Sequence, residues 1–260
     1  MDHFARSVSS KDIVPNFLLP IEQSRRSRIK VCAGGGQEMV EITTLSEVTI
    51  DGKLSLGATA SSKGLFDFYG DDLRAWFHAQ RAAHDAIMVG AGTVLLDDPE
   101  LTVRHAPGPN PLRIVPSSMG RLPLDAKLLN DGHPTVIVVS RAAKEADIEA
   151  LKSKPNVEVV RCGERRVDLP GLMNILDARG IKSMIVEGGS RLLHSLHEAR
   201  LVHRIVIKHI PVITGSADAP SYMRPDEYSR AFELSKWRLV ECFTKSGIAV
   251  TIYEPGTART

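Results

Sequence analysis

The sequence predicts an α/β protein built around one mainly parallel β-sheet with helices on both faces. Three observations support this prediction. Short runs rich in β-branched residues alternate with helical stretches, most of these runs are apolar throughout, and the last two runs have no helix between them. Strands buried on both faces are typically continuous apolar runs. Strand–helix alternation implies right-handed crossovers between parallel neighbours.

The predicted strands span residues 40–50, 85–90, 112–115, 135–140, 157–161, 183–189, 204–213, 237–244 and 247–254. The predicted helices span residues 71–83, 142–153, 168–179 and 190–198. The last two strands are joined through Lys245-Ser246, so we expect an antiparallel hairpin at the sheet edge.

Residues 1–38 differ from the rest of the chain. They show little periodicity and contain a basic cluster at 24–30 and three glycines at 34–36. We interpret them as an N-terminal extension, followed by one domain at 39–260.

Composition excludes several classes of protein. The 260-residue chain has a formal net charge of +2, which favours neither a nucleic-acid surface nor an acidic partner. No apolar run approaches the ~18 residues that a membrane span needs. Its three widely spaced cysteines form no Cys-x-x-Cys pair, so we expect neither a disulfide framework nor a zinc site. This use of cysteine fits a reducing cytoplasmic location. Without a His-x-x-x-His pair or Gly-x-Ser-x-Gly, zinc and α/β-hydrolases are also disfavoured.

Small and polar residues follow the predicted strand at 85–90, where ligands of open α/β sheets gather. Gly90-Ala91-Gly92-Thr93 is not a full Gly-x-Gly-x-x-Gly motif, because residue 95 is Leu. The segment is either a tight turn that needs glycine, or a backbone approach to a ligand with a short helix beginning near Thr93. Asp98-Pro99 predicts a turn, and Asp97 is a candidate ligand contact.

Two arginines are candidates for binding an anion. Arg81 shares the apolar stripe of the helix at 71–83, where a charge needs a partner. The alternative for Arg81 is a cation stabilised by the C-terminal end of the helix dipole. Arg104 offers a planar fork suited to phosphate, or else is a surface arginine.

A second loop, Glu187-Gly188-Gly189, ends the predicted strand at 183–189. Its glycines allow close backbone approach, and the N–H groups of the following helix can cradle a pyrophosphate. Glu187 would face the same cleft, or would interact with the helix N-terminus.

Ser117 and Arg141 follow the predicted strands at 112–115 and 135–140, where no acidic residue closes either strand. An acidic residue there suits the ribose 2′-hydroxyl of NAD, whereas an arginine suits the 2′-phosphate of NADP. Arg141 therefore favours NADP over NAD.

Four segments, taken together, resemble the riboflavin-biosynthesis reductase family. They are "TIDGK" (49–53), "GAGTVLLDDPELTVR" (90–104), "NPLRIV" (110–115) and "IVEGGSRLLHSL" (185–196). The resemblance implies a dihydrofolate-reductase-like fold and an NADPH-dependent reductase that converts the ribosyl group of a phosphoribosylamino-pyrimidine into a ribityl chain. "ASSKGLFDF" (60–68) is similar to the archaeal and fungal branch, in which the 2,5-diamino-pyrimidinone is reduced before deamination.

The resemblance also implies roles for single residues. The implied substrate contacts are Ser61, Arg81, Leu101, Arg104 and Glu187, with Ser61 and the two arginines on the 5′-phosphate. The implied cofactor contacts are Lys63, Thr93, Asp97, Ser117, Gly189, Ser190, Arg191, Leu192 and Leu193, to which Arg141 is added from the strand-end argument above. Lys53 and Glu187 are the candidate acid–base groups, and no metal is implied. Relatives form homodimers, for which the C-terminal edge strands are a plausible surface.

Glu47, Pro116 and His203 depart from the family's usual pattern. Glu47 stands where relatives have a small residue near the nicotinamide, and Pro116 and His203 replace aspartates. These departures are compatible with a reductase of the same fold that acts on another pterin-like or pyrimidine substrate. A protein that binds the nucleotide without turnover is the third hypothesis.

Overall fold

The computed structural model describes residues 40–227, 229 and 235–256. Within this part of the chain, nine strands form one sheet in the order β5-β4-β3-β2-β6-β1-β7-β9-β8. The strands are β1 (Glu41–Thr49), β2 (Ala86–Met88), β3 (Leu112–Pro116), β4 (Thr135–Val139), β5 (Val157–Arg161), β6 (Ser183–Val186), β7 (Arg204–Ile210), β8 (Trp237–Lys245) and β9 (Ile248–Pro255). The N-terminal extension assigned to 1–38 lies outside the described residues.

Six α-helices connect or flank the strands in the described residues. They are α1 (Asp71–Ala82), α2 (Ala91–Asp97), α3 (Lys127–Asn130), α4 (Glu145–Lys152), α5 (Leu169–Ala178) and α6 (Ser190–Glu198), and a 3₁₀ helix spans Ser62–Phe68. The four long predicted helices are confirmed to within three residues at each end. Neither α3 nor the 3₁₀ helix was predicted, because segments of four and seven residues are too short to show helical periodicity.

Strands β1 to β7 pair in parallel, and β9 pairs antiparallel with both β7 and β8. The last two strands form the predicted hairpin, but its turn lies at Ser246-Gly247, one residue later than the expected Lys245-Ser246, because these are the two residues with positive φ. The α/β class with a mainly parallel sheet and an antiparallel C-terminal hairpin is therefore confirmed.

The apolar core lies in two layers, one on each face of the sheet. Helices α1 to α4 cover one face, to which β1 contributes Leu45. Helices α5 and α6 cover the other face, to which β1 contributes Ile42. Because side chains alternate along a strand, Glu47 faces the same side as Leu45.

Candidate active site

A cleft of about 1900 Å³ opens at the carboxyl ends of the parallel strands. Pockets for one small ligand occupy ~300–1000 Å³, so this cleft has room for a dinucleotide and a second molecule. Its walls come from the end of β1, the first turn of α2, the segment after β3, the segment after β4 and the first turn of α6. The topology thus places the predicted ligand loops side by side.

The loop before α6 gives the cleft an exposed backbone surface. Gly188 and Gly189 both have φ of +91°, a conformation that side chains rarely tolerate. A Cβ atom on Gly189 would lie 3.3 Å from the Thr93 hydroxyl oxygen, so the two loops meet closely. Helix α6 begins without a side-chain cap, which leaves its first N–H groups free to bind an anion.

Asp97 lines the cleft, but its carboxylate is held by the 3₁₀ segment. The backbone N–H of Ser62 donates to Asp97 Oδ1 at 3.0 Å, and the Ser62 hydroxyl donates to Oδ2 at 2.8 Å. Asp97 therefore fixes the neighbouring loop, and Ser62 borders the cleft beside it. Asp98 has φ of 39° and ends α2, as the Asp98-Pro99 turn predicted.

Arg81 and Glu187 form a buried bidentate ion pair. The Nε and Nη2 atoms of Arg81 donate to the two carboxylate oxygens of Glu187 at 2.7 and 2.6 Å, and Nη1 donates to the Thr102 carbonyl at 2.9 Å. The Arg81 guanidinium also lies 4.5 Å from the centre of the Phe77 ring. The anion that Arg81 needs is thus the protein's own carboxylate. Burial alone would lower the pKa of Arg81, but Glu187 more than offsets this and raises it.

Arg104 lies near Arg81 on the other side of Thr102. Its Nη1 donates to the Thr102 hydroxyl at 2.6 Å and contacts the Glu100 carboxylate, while its backbone N–H donates to His78 Nδ1 at 3.1 Å. Burial, followed by the charges of Arg81 and Arg104, lowers the pKa of His78 to about 3. His78 is therefore a neutral acceptor at physiological pH.

A second buried ion pair joins Glu47 on β1 to Lys208 on β7. Both the Lys208 ammonium and the Tyr69 hydroxyl donate to Glu47 Oε1. Burial raises the pKa of Glu47, but Lys208 and Tyr69 together lower it by more than burial raises it, so the net shift is downward. Burial and the charge of Glu47 raise the pKa of Tyr69 well above its usual value. Glu47 is thus a carboxylate at the cleft wall, where Ser46 also lies.

Arginines from the ends of β4 and β5 form one end of the cleft. Arg141, Arg161 and Arg165 all line it. Arg141 pairs loosely with Glu164 at 3.3 Å, and its side chain is 72% exposed. A cation this exposed is available to a phosphate group.

The structure brings nine of the proposed site residues to the cleft and leaves seven outside its lining. Those in the lining are Thr93, Asp97, Ser117, Arg141, Glu187, Gly189, Ser190, Arg191 and Leu192. Those outside it are Lys53, Ser61, Lys63, Arg81, Leu101, Arg104 and Leu193.

The residues outside the lining have other contacts. Leu101 and Leu193 are buried, and the Leu193 N–H donates to Gly189 within the first turn of α6. Ser61 caps the 3₁₀ helix through the Lys63 N–H, and the Lys63 ammonium lies 3.4 Å from the Asp98 carbonyl. The Lys53 backbone donates to Thr49 Oγ1.

Sequence reasoning missed Ser62, Tyr69 and Lys208. Lys208 carried a signal, since it is the one lysine or arginine inside the mostly apolar run 205–213. Ser62 and Tyr69 carried none, because their partners lie far away in the sequence.

The cleft lies at the carboxyl ends of a parallel sheet, beside an uncapped helix N-terminus, and one of its ends is rich in arginine. These features are typical of nucleotide-binding α/β proteins. Residues 41–247 match the family model described as RibD C-terminal domain. The chain therefore belongs to this family.

Named relatives agree with the family match. A 2,5-diamino-6-ribosylamino-4(3H)-pyrimidinone 5′-phosphate reductase from Aquifex aeolicus is 37% identical over 214 residues, which cover 82% of this chain and 95% of the relative. A reductase of the same name from Methanothermobacter thermautotrophicus is 41% identical over 175 residues, covering 66% and 78%. The crystal structure of a pyrimidine reductase-like protein from Corynebacterium diphtheriae has a TM-score of 0.68 at 18% identity and covers 83% of this chain and 92% of its own. The dihydrofolate-reductase-like fold expected from the resemblance is confirmed.

The described residues contain neither a membrane-spanning helix nor a cluster of metal-binding side chains. None of their helices is long and apolar enough to cross a membrane. They also contain no group of three or more His, Cys, Asp or Glu side chains arranged to hold a metal ion.

Proposed function

We propose that this protein reduces the ribosyl group of 2,5-diamino-6-ribosylamino-4(3H)-pyrimidinone 5′-phosphate to the ribityl form, with NADPH as hydride donor. Relatives that carry this substrate in their names are 37–41% identical to the chain, and the Aquifex relative aligns over nearly its whole length. The observation that carries the proposal is one cleft that is lined by the uncapped start of α6, the Glu187 carboxylate and Arg141.

The cofactor side of the cleft fits a dinucleotide phosphate. The uncapped start of α6, from Gly189 to Leu192, would hold the pyrophosphate through backbone N–H groups. Thr93 and Ser117 offer hydroxyls beside that loop, and Asp97 fixes the adjoining segment. Arg141, at the arginine-rich end, would bind the 2′-phosphate that distinguishes NADPH from NADH. When bound there, NADPH supplies the hydride and the protein supplies position and charge.

The substrate side centres on Glu187 and the two arginines beyond it. Arg81 holds Glu187 at the cleft wall. Arg104 contacts the same residue, Thr102, as Arg81 does, and its side chain is 47% exposed. We propose that Arg104 and Ser61 bind the 5′-phosphate, while Arg81 orients Glu187. Leu101, with φ of 56° and almost no exposure, shapes the segment between them. Lys63 would approach the cofactor, since it lies on the same 3₁₀ segment as Ser62.

The reaction requires a proton as well as a hydride. The C1′–O4′ bond of the ribosylamine breaks, O4′ takes the proton, and the hydride adds to C1′. Lys53 and Glu187 are the proposed acid–base groups. Both oxygens of Glu187 accept hydrogen bonds from Arg81, so Arg81 fixes the position of the Glu187 carboxylate.

A deaminated substrate, 5-amino-6-(5-phosphoribosylamino)uracil, is the second candidate. Relatives named riboflavin biosynthesis protein RibD match this chain at 32–35% identity, over 45–48% of their own length. A reductase for another pterin-like or pyrimidine substrate and a nucleotide-binding protein without turnover are the remaining alternatives, and the departures at Glu47 and Pro116 are compatible with the first of them.

One assay separates these functions. We expect NADPH oxidation, followed by absorbance, with the diamino substrate and much slower oxidation with the uracil or with dihydrofolate. Oxidation only with the uracil would move the enzyme to the later step. Oxidation only with dihydrofolate would assign a different substrate, and tight NADPH binding without oxidation would indicate a binding protein.

We also propose a cytoplasmic homodimer. Cys162 and Cys242 are unpaired, which suits a reducing compartment. Strand β8 lies at the sheet edge with Leu239 half exposed, and exposed edges favour pairing with a second chain. Sedimentation of the purified protein would test the dimer, and a monomer at micromolar concentration would contradict it.

A further inference from the structure

The Glu47–Lys208 ion pair lies on two neighbouring strands at the wall of the cleft. The two residues face each other in the parallel register of β1 and β7. Lys208 is fully buried, and its ammonium lies 3.8 Å from the centre of the Phe77 ring and 4.9 Å from that of Tyr69. Glu47 is 14% exposed and lines the cleft. The pair therefore connects the core to the site.

Stability alone does not account for this pair. Removing two charges from water costs several kcal/mol per ion, and apolar residues of similar volume are often as stabilising or more so. The neighbouring inward positions, Leu45 and Val206, are ordinary core residues. An apolar pair at 47 and 208 would continue that core. A charge kept at the cleft wall points to a use in the cleft.

Two carboxylates of the cleft lining, Glu187 and Glu47, are paired with buried cations and differ in which of their oxygens accept hydrogen bonds. Glu187 uses both oxygens on Arg81. Glu47 receives both of its bonds, from Lys208 and from Tyr69, on Oε1. Within the part of the chain that the structure describes, no other residue donates a hydrogen bond to its Oε2. Of these two carboxylates, Glu47 is thus the one that has an oxygen to offer a ligand.

The reaction creates a positive charge that such an oxygen can stabilise. When the C1′–O4′ bond breaks, the nitrogen lone pair forms a C1′=N bond and O4′ takes the proton that the acid–base group supplies. The resulting iminium cation loses its charge when the hydride from NADPH adds to C1′. A carboxylate fixed beside this group lowers the energy of the charged state without having to reorganise.

We propose that Glu47 is a catalytic residue whose Oε2 faces the iminium group of the substrate, with Lys208 and Tyr69 as positioning residues. The proposal rests on the proposed function. Ser46 and Glu47 lie two and three residues beyond Thr44, which pairs with Val186, so Glu47 lies beside the Glu187–Gly189 loop where cofactor and substrate would meet.

Lys208 on β7 and the Tyr69 hydroxyl, from the segment before α1, keep Glu47 ionised. The other charged groups of this cluster are Arg81 on α1 and Glu187 in the loop after β6, which carry opposite charges and pair with each other. Burial raises the pKa of Glu47, and Lys208 and Tyr69 together lower it below its usual value. Removing Lys208 leaves burial less opposed, so the carboxylate would then take up a proton at higher pH.

The first test replaces the carboxylate with an amide. We expect Glu47→Gln to slow single-turnover hydride transfer by about 100-fold, the usual cost of losing one charge-stabilising group. The NADPH dissociation constant, measured by fluorescence, should not change. The control is Glu158→Gln, which removes a surface carboxylate paired with Arg179 outside the cleft and should leave the rate unchanged. Normal hydride transfer in folded Glu47→Gln would overturn the proposal.

Three further variants guard against a folding defect, since Glu47→Gln leaves Lys208 buried without its partner. Glu47→Gln/Lys208→Met removes both charges and should fold yet remain slow. Lys208→Met keeps the carboxylate and should move the acidic limb of the kcat–pH profile to higher pH, and Tyr69→Phe should move it the same way by less. A merely structural pair predicts recovery of rate in the double variant and an unmoved limb, and either result would overturn the proposal.

Wild-type turnover separates the two proposals. If the wild type shows no hydride transfer with any pyrimidine substrate, the proposed function fails and the role of Glu47 fails with it. If the wild type turns over and the Glu47 variants turn over equally well, only the role of Glu47 is overturned.

Discussion

Single side chains in the cleft are held by partners far away in the sequence. Glu187 is fixed by Arg81, 106 positions earlier, and Glu47 by Lys208, 161 positions later. Each carboxylate is matched with one buried cation, and Phe77 contacts both cations. The two ion pairs therefore balance each other's charge, so this cluster carries no net charge before a ligand binds.

Gly189 gives the most direct residue-scale prediction for the cofactor loop. We expect Gly189→Ala to raise the NADPH dissociation constant at least about tenfold, equivalent to ~1.4 kcal/mol. The added Cβ would press on the Thr93 hydroxyl at 3.3 Å and move the loop. Gly180→Ala is the control, because Gly180 also has positive φ but nothing within 4 Å of its Cβ position.

Both glycine variants should lose about 1–3 kcal/mol of stability from backbone strain. Only the variant at position 189 should lose affinity, as measured by fluorescence titration. Equal NADPH affinity in the two variants would remove Gly188-Gly189 from the cofactor site.

Arg141 tests the choice of cofactor. We expect Arg141→Ala to weaken NADPH binding and leave NADH binding unchanged, since only NADPH carries the 2′-phosphate. Arg179→Ala, which removes an arginine outside the cleft lining, is the control. Competition titrations with both cofactors measure the ratio of affinities. A wild type that prefers NADH, or an Arg141 variant with unchanged NADPH affinity, would contradict the assignment.

Secondary-structure elements are joined by buried polar contacts as well as by the apolar core. Arg113 on β3 is almost fully buried and donates to both oxygens of Asp131 at 2.6 and 2.7 Å, to the Leu128 carbonyl at 3.0 Å and to the Glu100 carbonyl at 3.0 Å. One side chain thus ties β3 to the end of α3 and to the segment that leads into the strand.

Arg113→Met should therefore be strongly destabilising. Removing one partner of a buried ion pair costs about 3–5 kcal/mol, because the other groups lose their donors. The partly exposed Arg179 provides the matched control, and Arg179→Met should cost no more than about 1 kcal/mol. Urea unfolding of both variants measures the difference. Similar losses in the two would show that the Arg113 contacts add little to the packing of β3.

Asp85 joins the starts of β2 and β6. Its Oδ2 accepts from the N–H groups of Lys182 and Ser183 at 2.9 Å and from the Ser183 hydroxyl at 3.0 Å. Burial raises the pKa of Asp85, but these hydrogen bonds lower it by more than burial raises it, so the net shift is downward.

A carboxyl group with a lowered pKa stabilises the fold above its unfolded pKa, here the ordinary aspartate value of 3.8, and loses that contribution as pH falls through the lower folded value. The advantage of wild type over Asp85→Asn in unfolding free energy should therefore be largest at neutral pH and shrink below about pH 4. Urea unfolding across this range measures it. A difference that does not vary with pH would contradict the role of Asp85.

At the scale of the whole molecule, the order of strands and helices was predictable from hydrophobic patterning. Each of the nine predicted strands is found, because buried parallel strands and an edge hairpin leave distinct patterns. The cleft was predictable too, since loops that follow parallel strands must meet at one edge. Ion pairs across the sheet were not, because local patterns do not specify which distant side chains meet. Arg81 shows this limit, since its need for an anion was evident but its partner was not.

For the proposed reaction, one cleft must bring the hydride donor and the ribosyl carbon together. The most direct measurement uses NADPH carrying deuterium at both C4 positions, the diamino substrate and mass spectrometry of the product. We expect a ribityl product that carries one deuterium, bonded at C1′, and an equal amount of oxidised cofactor. A product without deuterium, or cofactor oxidation without the ribityl product, would contradict direct hydride transfer in this cleft.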